Sequence, residues 1–350
     1  PTMSAKRIPV IYGGDWNERE ISIDSARSVV QWLEEAGLKP IPVRWDENGW
    51  VLCPPDDLDR IGEEVSPAEI LQTQVETGIE AVFNSLHGGA GEDGTLAALL
   101  EVFRLAHTGA GVGGGAVSCC KITFRQRLRG MGMSVAVGAV VHEEVWQRRK
   151  DDVLAGVVSE VGYPCLVKDP KGGSSIGLKL VHDPYELQEF IEHLFQETRI
   201  VLVEKRVVGR EISVACLGAS RGSLPQPLQP IEIMLNDDQE IFDYDAKYSP
   251  GKAKEVHANL SPEQWLQIAQ EIRQMHLELD LGTTSRTDLI LTEDGPVYLE
   301  TNTVPGCTER SILPMAAELS GISGPDLVKK MLEIAVGNHL ERWGRGASAP

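Results

Sequence analysis

Apolar positions recur in two rhythms along this chain. Arg7-Ile-Pro-Val-Ile-Tyr12, Pro40-Ile-Pro-Val-Arg44 and Ala81-Val-Phe-Asn-Ser-Leu86 are short apolar runs bounded by glycine or polar turns, which predicts buried strands. Between them Ala26, Val29, Val30 and Leu33 share one stripe, predicting a helix from about Asp24 to Ala36 with Gly37 as its stop. A second helix opens at Gly94-Thr95, with Leu96, Leu99, Leu100 and Phe103 along one face. Strands alternating with helices predict a parallel sheet. In such sheets the ligand crevice is built from loops at the carboxyl ends of strands, and Gly13-Gly14 and His87-Gly88 occupy such ends.

The middle third adds strands at Pro164–Lys168, Ile200–Glu204 and Glu211–Leu217, with a helix over 182–197. The last third holds a helix with a capping-box start, Ser261 as N-cap, Pro262 at N1 and Gln264 at N3. Trp265, Ile268, Ile272 and Met275 form its expected buried stripe, and a final helix runs from about Pro325 to Val336. Gly109-Ala-Gly111-Val-Gly113-Gly114 matches GxGxxG in letters, but no acidic residue follows about 20 positions on to hold a ribose. The run reads as a flexible join between domains. The expected organisation is an N-terminal α/β domain over 1–112, a central unit over 113–207, a C-terminal unit over 208–338 and a tail over 339–350.

The most informative stretch is Arg286-Thr-Asp288-Leu-Ile-Leu-Thr-Glu293-Asp294-Gly295-Pro-Val-Tyr-Leu-Glu300-Thr-Asn302, two apolar runs around a turn, which reads as a β-hairpin. A three-residue loop Glu293-Asp294-Gly295 would pair Thr292 with Pro296, Asp288 with Glu300 and Arg286 with Asn302. Leu289, Leu291, Val297 and Leu299 would then share the opposite face. Two carboxylates directly opposite one another repel. A divalent cation between them removes the penalty, and Mg²⁺ is held by one or two carboxylates plus substrate phosphates. The alternative is an exposed hairpin whose polar face meets water.

Composition narrows the class. At 350 residues, 42% hydrophobic and 24% charged, the chain has the make-up of a globular protein of two or three domains. No apolar run approaches the roughly 20 residues of a membrane span, and no basic, apolar leader opens the sequence. A net charge of −19 argues against nucleic acid as a partner. The six cysteines show no metal-ligand spacing and read as reduced and cytoplasmic.

Four further segments carry candidate chemistry. Lys171-Gly-Gly-Ser174-Ser175-Ile-Gly177 follows the strand ending at Lys168; its backbone amides and hydroxyls suit a phosphate, and a plain hairpin turn would look similar. Glu204 could accept from an adenine amino group and Glu211 could hold ribose hydroxyls, or both could be solvated turn charges. Gly14-Asp-Trp-Asn-Glu18-Arg-Glu20 and His87 sit on the crevice loops, where a carboxylate can grip an ammonium and a histidine is more often a structural hydrogen-bonder. Phe242–Lys252 is a long polar and aromatic stretch, compatible with a lid and with an ordinary surface loop.

Taken in order, Gly13-Gly14-x3-Glu18-Arg19-Glu20, Leu86-His87-Gly88-x2-Gly91-Glu92-Asp93-Gly94-Thr95, Gly173-Ser174-Ser175-x-Gly177, Tyr244-x2-Lys247-Tyr248, Arg286-x-Asp288 and Glu300-x-Asn302-Thr-x-Pro305-Gly306 resemble the D-alanine–D-alanine ligases of the ATP-grasp superfamily. The resemblance runs from about residue 7 to 336. It implies an α/β chain with an ATP-grasp fold behind an N-terminal Rossmann-like parallel-sheet domain. It also implies an ATP-dependent ligase that joins two D-alanines through an acyl phosphate, giving D-alanyl-D-alanine, ADP and phosphate for the cell wall. The alternative is a related carboxylate–amine ligase acting on other amino acids, as in natural-product assembly.

By position, the resemblance implies that Lys121, Lys168 and Ser175 contact ATP phosphates and that Glu204, Lys205 and Glu211 hold the adenosine. Lys247 would meet the transferring phosphate, and Asp288, Glu300 and Asn302 would bind two Mg²⁺, with Mn²⁺ able to substitute. Glu18 would take the ammonium of the first amino acid with His87 beside it, and Ser174 and Tyr248 would link the lid to that site. Arg286 and the Gly306 amide would stabilise the oxyanion, with Ser311 and Ile312 at the second amino acid. A homodimer is the implied assembly. Cys120, Asp169 and Gly172 depart from the letters common in the family along the nucleotide cleft.

Overall fold

The computed structural model describes residues 7–47, 49–60, 62–77, 81–173, 177–219, 222–235 and 253–344. The first unit contains β1 (Arg7–Gly13), α1 (Arg19–Glu35), β2 (Lys39–Asp46), β3 (Gly49–Leu52), β4 (Glu64–Val65), α2 (Pro67–Thr77), β5 (Ala81–Asn84), α3 (Gly89–Glu92), α4 (Thr95–Val102) and β6 (Ala106–His107). Its sheet runs β4-β3-β2-β1-β5-β6. β2, β1, β5 and β6 pair in parallel as the alternation predicts. The parallel sheet expected there is present, and β3 and β4 extend one edge of it antiparallel. Those two strands are two to four residues long, too short to show a period.

α1 begins five residues before its expected start. Its first turns are polar in sequence, yet Ser22 and Ser25 are buried. Ser22 Oγ donates to the Ser85 carbonyl and accepts from the Gly13 amide, stitching the helix to the ends of β1 and β5. Hydroxyls that are buried and satisfied in this way escape a reading based on apolar stripes. The longer helix puts Glu18 at its N-cap.

The second unit holds α5 (Val112–Ser118), α6 (Lys121–Gly130), β7 (Gly138–His142), α7 (Glu143–Glu160), β8 (Cys165–Lys168), β9 (Leu178–Val181), α8 (Pro184–Leu194) and β10 (Ile200–Lys205). Its antiparallel sheet runs β7-β10-β8-β9. The glycine run after Gly109 is not a flexible join. Gly111 caps α5, and Gly114 and Gly115 are buried. A side-chain carbon on Gly114 would overlap the Asp280 carbonyl oxygen, and one on Gly115 would lie 2.7 Å from the Glu92 carbonyl oxygen. The glycines are there for close backbone approach.

The third unit has β11 (Arg210–Leu217), β12 (Gln226–Pro227), β13 (Ile231–Leu235), β14 (Ala253–His257), α9 (Pro262–Glu278), β15 (Thr284–Thr292), β16 (Gly295–Asn302), α10 (Ile312–Leu319) and α11 (Gly324–Trp343). Its antiparallel sheet runs β14-β13-β11-β15-β16, with β12 on β11. α9 starts with the expected capping box, Gln264 N donating to Ser261 Oγ and Ser261 N to Gln264 Oε1. Ile268, Ile272 and Met275 pack with Phe124 and Leu128 of α6 and Leu289 of β15 in one core.

α11 passes the expected end at Val336 and closes seven residues later, so the tail begins after Trp343 and not at 339. Gly337-Asn338 looks like a stop in sequence. The last turn is instead docked, with Arg342 bound to Glu101 at 2.5 Å and Arg104 over the Trp343 ring at 5.3 Å. α11 packs back on the first unit, where Leu327, Val328 and Met331 share a core with Val29 and Leu33 of α1.

Candidate active site

The hairpin places its acidic residues as expected, by a different route. Thr292 pairs with Gly295 and Leu291 with Pro296, so the connection is a two-residue turn with Gly295 at φ 117°. A β-bulge between Asp288 and Leu289 then restores Asp288 opposite Glu300 and Arg286 opposite Asn302. The shorter turn exchanges the inner face of β16 up to that bulge. Pro296 and Tyr298 are buried with Leu289 and Leu291, where Val297 and Leu299 were expected.

Asp288 is held by a bidentate Arg286, with Nε 3.1 Å and Nη2 2.8 Å from its oxygens, and by the Ser213 hydroxyl of β11. Glu300 meets Lys121 Nζ at 2.8 Å. Lys121 opens α6, and its Nζ also donates to the Gly172 carbonyl at 2.7 Å while its amide donates to the Pro170 carbonyl at 2.8 Å. Burial opposes ionisation of Glu300, but the Lys121 ammonium outweighs it, with help from Arg286 and Lys168, and the carboxyl falls to about 2. Burial likewise opposes the charge on Lys121, and Glu300 overcomes it. Glu211 has no such partner in excess. Burial and repulsion from Asp288 and Glu300 push it up to about 8.

A second cluster lies where β8 and β10 pair. Lys168 Nζ and Arg125 Nε, the latter at 3.0 Å, both bind the Glu204 carboxylate, which is 3% exposed. Two cations on one carboxylate leave a local positive excess that suits an anion. Lys205 follows at the exposed end of β10, its amide donating to the Val137 carbonyl.

The first unit contributes Glu18. A side-chain carbon on Gly88 would overlap its carboxylate, and one on Gly173 would lie 2.7 Å from its Oε1. Glu18 thus sits between the His87-Gly88 loop and the loop after β8. His87 is buried, with Nδ1 2.6 Å from the Val304 carbonyl and Nε2 2.9 Å from Ser25 Oγ. It ties α1 to the segment leading to Gly306. A carbon on Gly306 would lie 2.7 Å from Ser311 Oγ, and that hydroxyl accepts from the Thr308 amide at 3.1 Å. Ile312 follows as the first residue of α10 and packs on the core of the first unit. Ser174, Ser175, Tyr248 and Lys247 lie outside the described residues.

Three groups at the site escaped the sequence reading. Arg125 stands four residues after Lys121, one helical turn on, a spacing that places both on one face. Ser213 is revealed only by strand pairing, since it lies opposite Asp288. Glu92 accepts from the Gly88 amide at 3.2 Å, and burial together with Glu18 pushes its carboxyl up to about 8; its signal was the Gly91-Glu92-Asp93-Gly94 run itself.

Among the described residues no three His, Cys, Asp or Glu side chains converge into a ready metal cage. What is present fits Mg²⁺ in its usual setting, two apposed carboxylates and a carboxamide with substrate phosphate completing the shell. Burial first, and then repulsion from Asp288 and Glu300, push Glu211 up; a divalent cation on that pair would offset the repulsive part. No described helix is long and apolar enough to cross a membrane.

Comparison with known proteins agrees with this geometry. The family model described as D-ala D-ala ligase N-terminus matches residues 7–110, and that described as D-ala D-ala ligase C-terminus matches residues 128–333. A D-alanine–D-alanine ligase of Geobacillus kaustophilus is 29% identical over 357 residues, covering 96% of each chain. The solved structure of the D-alanine–D-alanine ligase from Coxiella burnetii matches with a TM-score of 0.76 at 27% identity, covering 97% of this chain and 96% of that one. The VanG D-Ala:D-Ser ligase from Enterococcus faecalis matches with a TM-score of 0.79 at 24% identity over 95% and 100%, a likeness of fold alone. With both halves matched and the acidic hairpin in place, this chain belongs to the D-alanine–D-alanine ligase family and has its ATP-grasp fold.

Proposed function

We propose that the protein is an ATP-dependent ligase that joins two D-alanines into D-alanyl-D-alanine, releasing ADP and phosphate. The observation that carries this reading is the hairpin array of Arg286, Asp288, Glu300 and Asn302, with Lys121 on Glu300, in a chain of this family.

A carboxylate is a poor acyl donor, so its oxygen first attacks the γ-phosphorus of ATP and ADP leaves. Lys121 and Lys168 bind the triphosphate, and Glu204, Lys205 and Glu211 hold the adenosine, with Arg125 fixing Glu204. When bound, Mg²⁺ spreads the charge of the moving phosphoryl group. Asp288, Glu300 and Asn302 would hold two such ions, and Mn²⁺ would replace them. Glu18 takes the ammonium of the first D-alanine, with His87 beside it. Ser175 would meet the ATP phosphates and Lys247 the transferring phosphate, while Ser174 and Tyr248 would link a water-excluding lid to the first amino-acid site. The second amine, positioned by Ser311 and Ile312, attacks the acyl carbon. Arg286 and the Gly306 amide donate to the tetrahedral oxyanion, and phosphate departs as the amide forms.

The product belongs to cell-wall assembly, and we place the enzyme in the cytoplasm as a homodimer. Six free cysteines support a reducing compartment; the dimer rests on family membership. Phosphate release with D- and L-amino acids, singly and in pairs, tests the reaction. Release with D-alanine alone supports it. Release only with another pair makes the chain a relative of different substrate, and release with none ends the proposal.

A further inference from the structure

The carboxylate of Glu18 has an aromatic neighbour. Trp16 lies in the turn between β1 and α1, two residues before Glu18. Its Nε1 donates to the His87 carbonyl at 2.5 Å. Its ring meets Trp45 edge-on, centroids 6.4 Å apart at 80°, and Trp45 leans on Trp50 at 5.9 Å. The indole packs on the edge of the first unit's apolar core and also on bare backbone. A carbon on Gly14 would lie 2.8 Å from the ring and one on Gly89 2.9 Å from it. One on Gly88 would lie 3.2 Å from Nε1 while overlapping the Glu18 carboxylate. Trp16 Nε1 and the Glu18 carboxylate therefore share the space over Gly88 that a side chain would fill, and are neighbours. Gly14, Gly88 and Gly89 have φ of 98°, 66° and 41°, a region open to glycine at little penalty, so the chain bends to receive the ring.

We infer that Trp16 is a specificity-determining residue of the first amino-acid subsite, its indole closing the space beside Glu18 so that only a small side chain is accepted. The inference rests on the reading of Glu18 as the ammonium-binding carboxylate. An ammonium hydrogen-bonded to a carboxylate at roughly 2.8 Å brings the amino acid's α-carbon within a few ångströms of whatever flanks that carboxylate. The indole cannot retreat from a larger side chain, because its hydrogen bond to His87 and its contact with Trp45 hold it from two sides. A wall of this kind discriminates by added methylenes, each about tenfold or more in kcat/KM.

The test compares wild type with Trp16→Ala and Trp16→Phe. Each is given ATP, D-alanine and either D-2-aminobutyrate or D-norvaline, and the residue order of the dipeptides is read by mass spectrometry. Trp16→Ala is expected to shift first-position use toward the longer side chain by about tenfold, with the ATP KM changed less than about twofold. Trp16→Phe, which keeps a ring, is expected to stay near wild type. Should Trp16→Ala fail to fold, Trp16→Leu is read the same way. Unchanged first-position selectivity in whichever of these two variants folds overturns the inference. If wild type prefers an acid other than D-alanine, the functional reading falls, and the same comparison runs with longer analogues of that acid, so the two failures are distinct.

Discussion

Lys121 Nζ stands 2.8 Å from Glu300 Oε2, so the first residue of α6 touches the far strand of the acidic hairpin. The ammonium offsets a carboxylate that a divalent ion would otherwise share. Glu300→Gln keeps the shape and removes the charge. It should abolish Mg²⁺-dependent phosphate release with the far-ultraviolet circular dichroism unchanged, and lower the melting temperature, because Lys121 loses the partner that offsets its burial. Full activity across a Mg²⁺ titration would remove Glu300 from the metal role.

Arg286 binds Asp288 through two nitrogens, a fork that lysine cannot reproduce. Arg286→Lys retains one positive charge beside Asp288 and loses the planar fork that we propose donates to the oxyanion. We expect kcat to fall about a hundredfold or more with a smaller change in ATP KM. Steady-state kinetics in ATP and amino acid separate the two effects, and an unchanged kcat would refute the oxyanion assignment.

Glu204 is buried between Lys168 and Arg125. Arg125→Leu leaves it with one cation and frees the carboxylate to rotate. The ATP KM should rise about tenfold, with the amino-acid KM values little altered. Nucleotide titration followed by calorimetry reads this directly, and unaltered ATP affinity would show that Arg125 has no part in setting Glu204.

Glu92 titrates near 8 in the folded chain against an ordinary 4.5. Folding therefore favours its neutral form. That contribution is complete below about 4.5 and is lost as pH rises through 8. Glu92→Gln is always neutral. Its melting temperature should match wild type near pH 4.5 and exceed it increasingly toward pH 8, measured without nucleotide or metal. A gap that stays constant over this range would rule out the shift.

Gly114 has no room for a side chain against the Asp280 carbonyl. Gly114→Ala should destabilise by about 1–3 kcal/mol, read as a lower denaturant midpoint at unchanged slope. A neutral effect would mean that α5 is loosely packed.

How much of this was legible in the letters depended on what kind of signal carried it. The apposition of Asp288 and Glu300 follows from period-two alternation, and it survives although the turn is one residue shorter than expected, because the bulge at Asp288/Leu289 compensates. Neither the turn nor the bulge has a composition that separates it from its alternatives, so the expected inner face of β16 was wrong between the two. The capping box of α9 is local chemistry and was readable. Local rules fail where contacts across the chain decide. Ser22 and Ser25 look like solvated helix positions until β1, β5 and His87 arrive to bind them. The glycines of α5 look like a hinge until Asp280 is placed against them. Arg125 is an ordinary helix arginine until β10 brings Glu204 beneath it.

The final helix has a bearing on how the chain comes together. α11 lies on α1, and Gly324 at its start rests on the Trp32 ring so tightly that no larger residue fits. α1, made before α11, thus waits for it to cover an apolar side. A fragment ending before residue 324 would leave that face wet and sticky, whereas supplying 324–344 as a separate peptide should restore it, a complementation readable by light scattering.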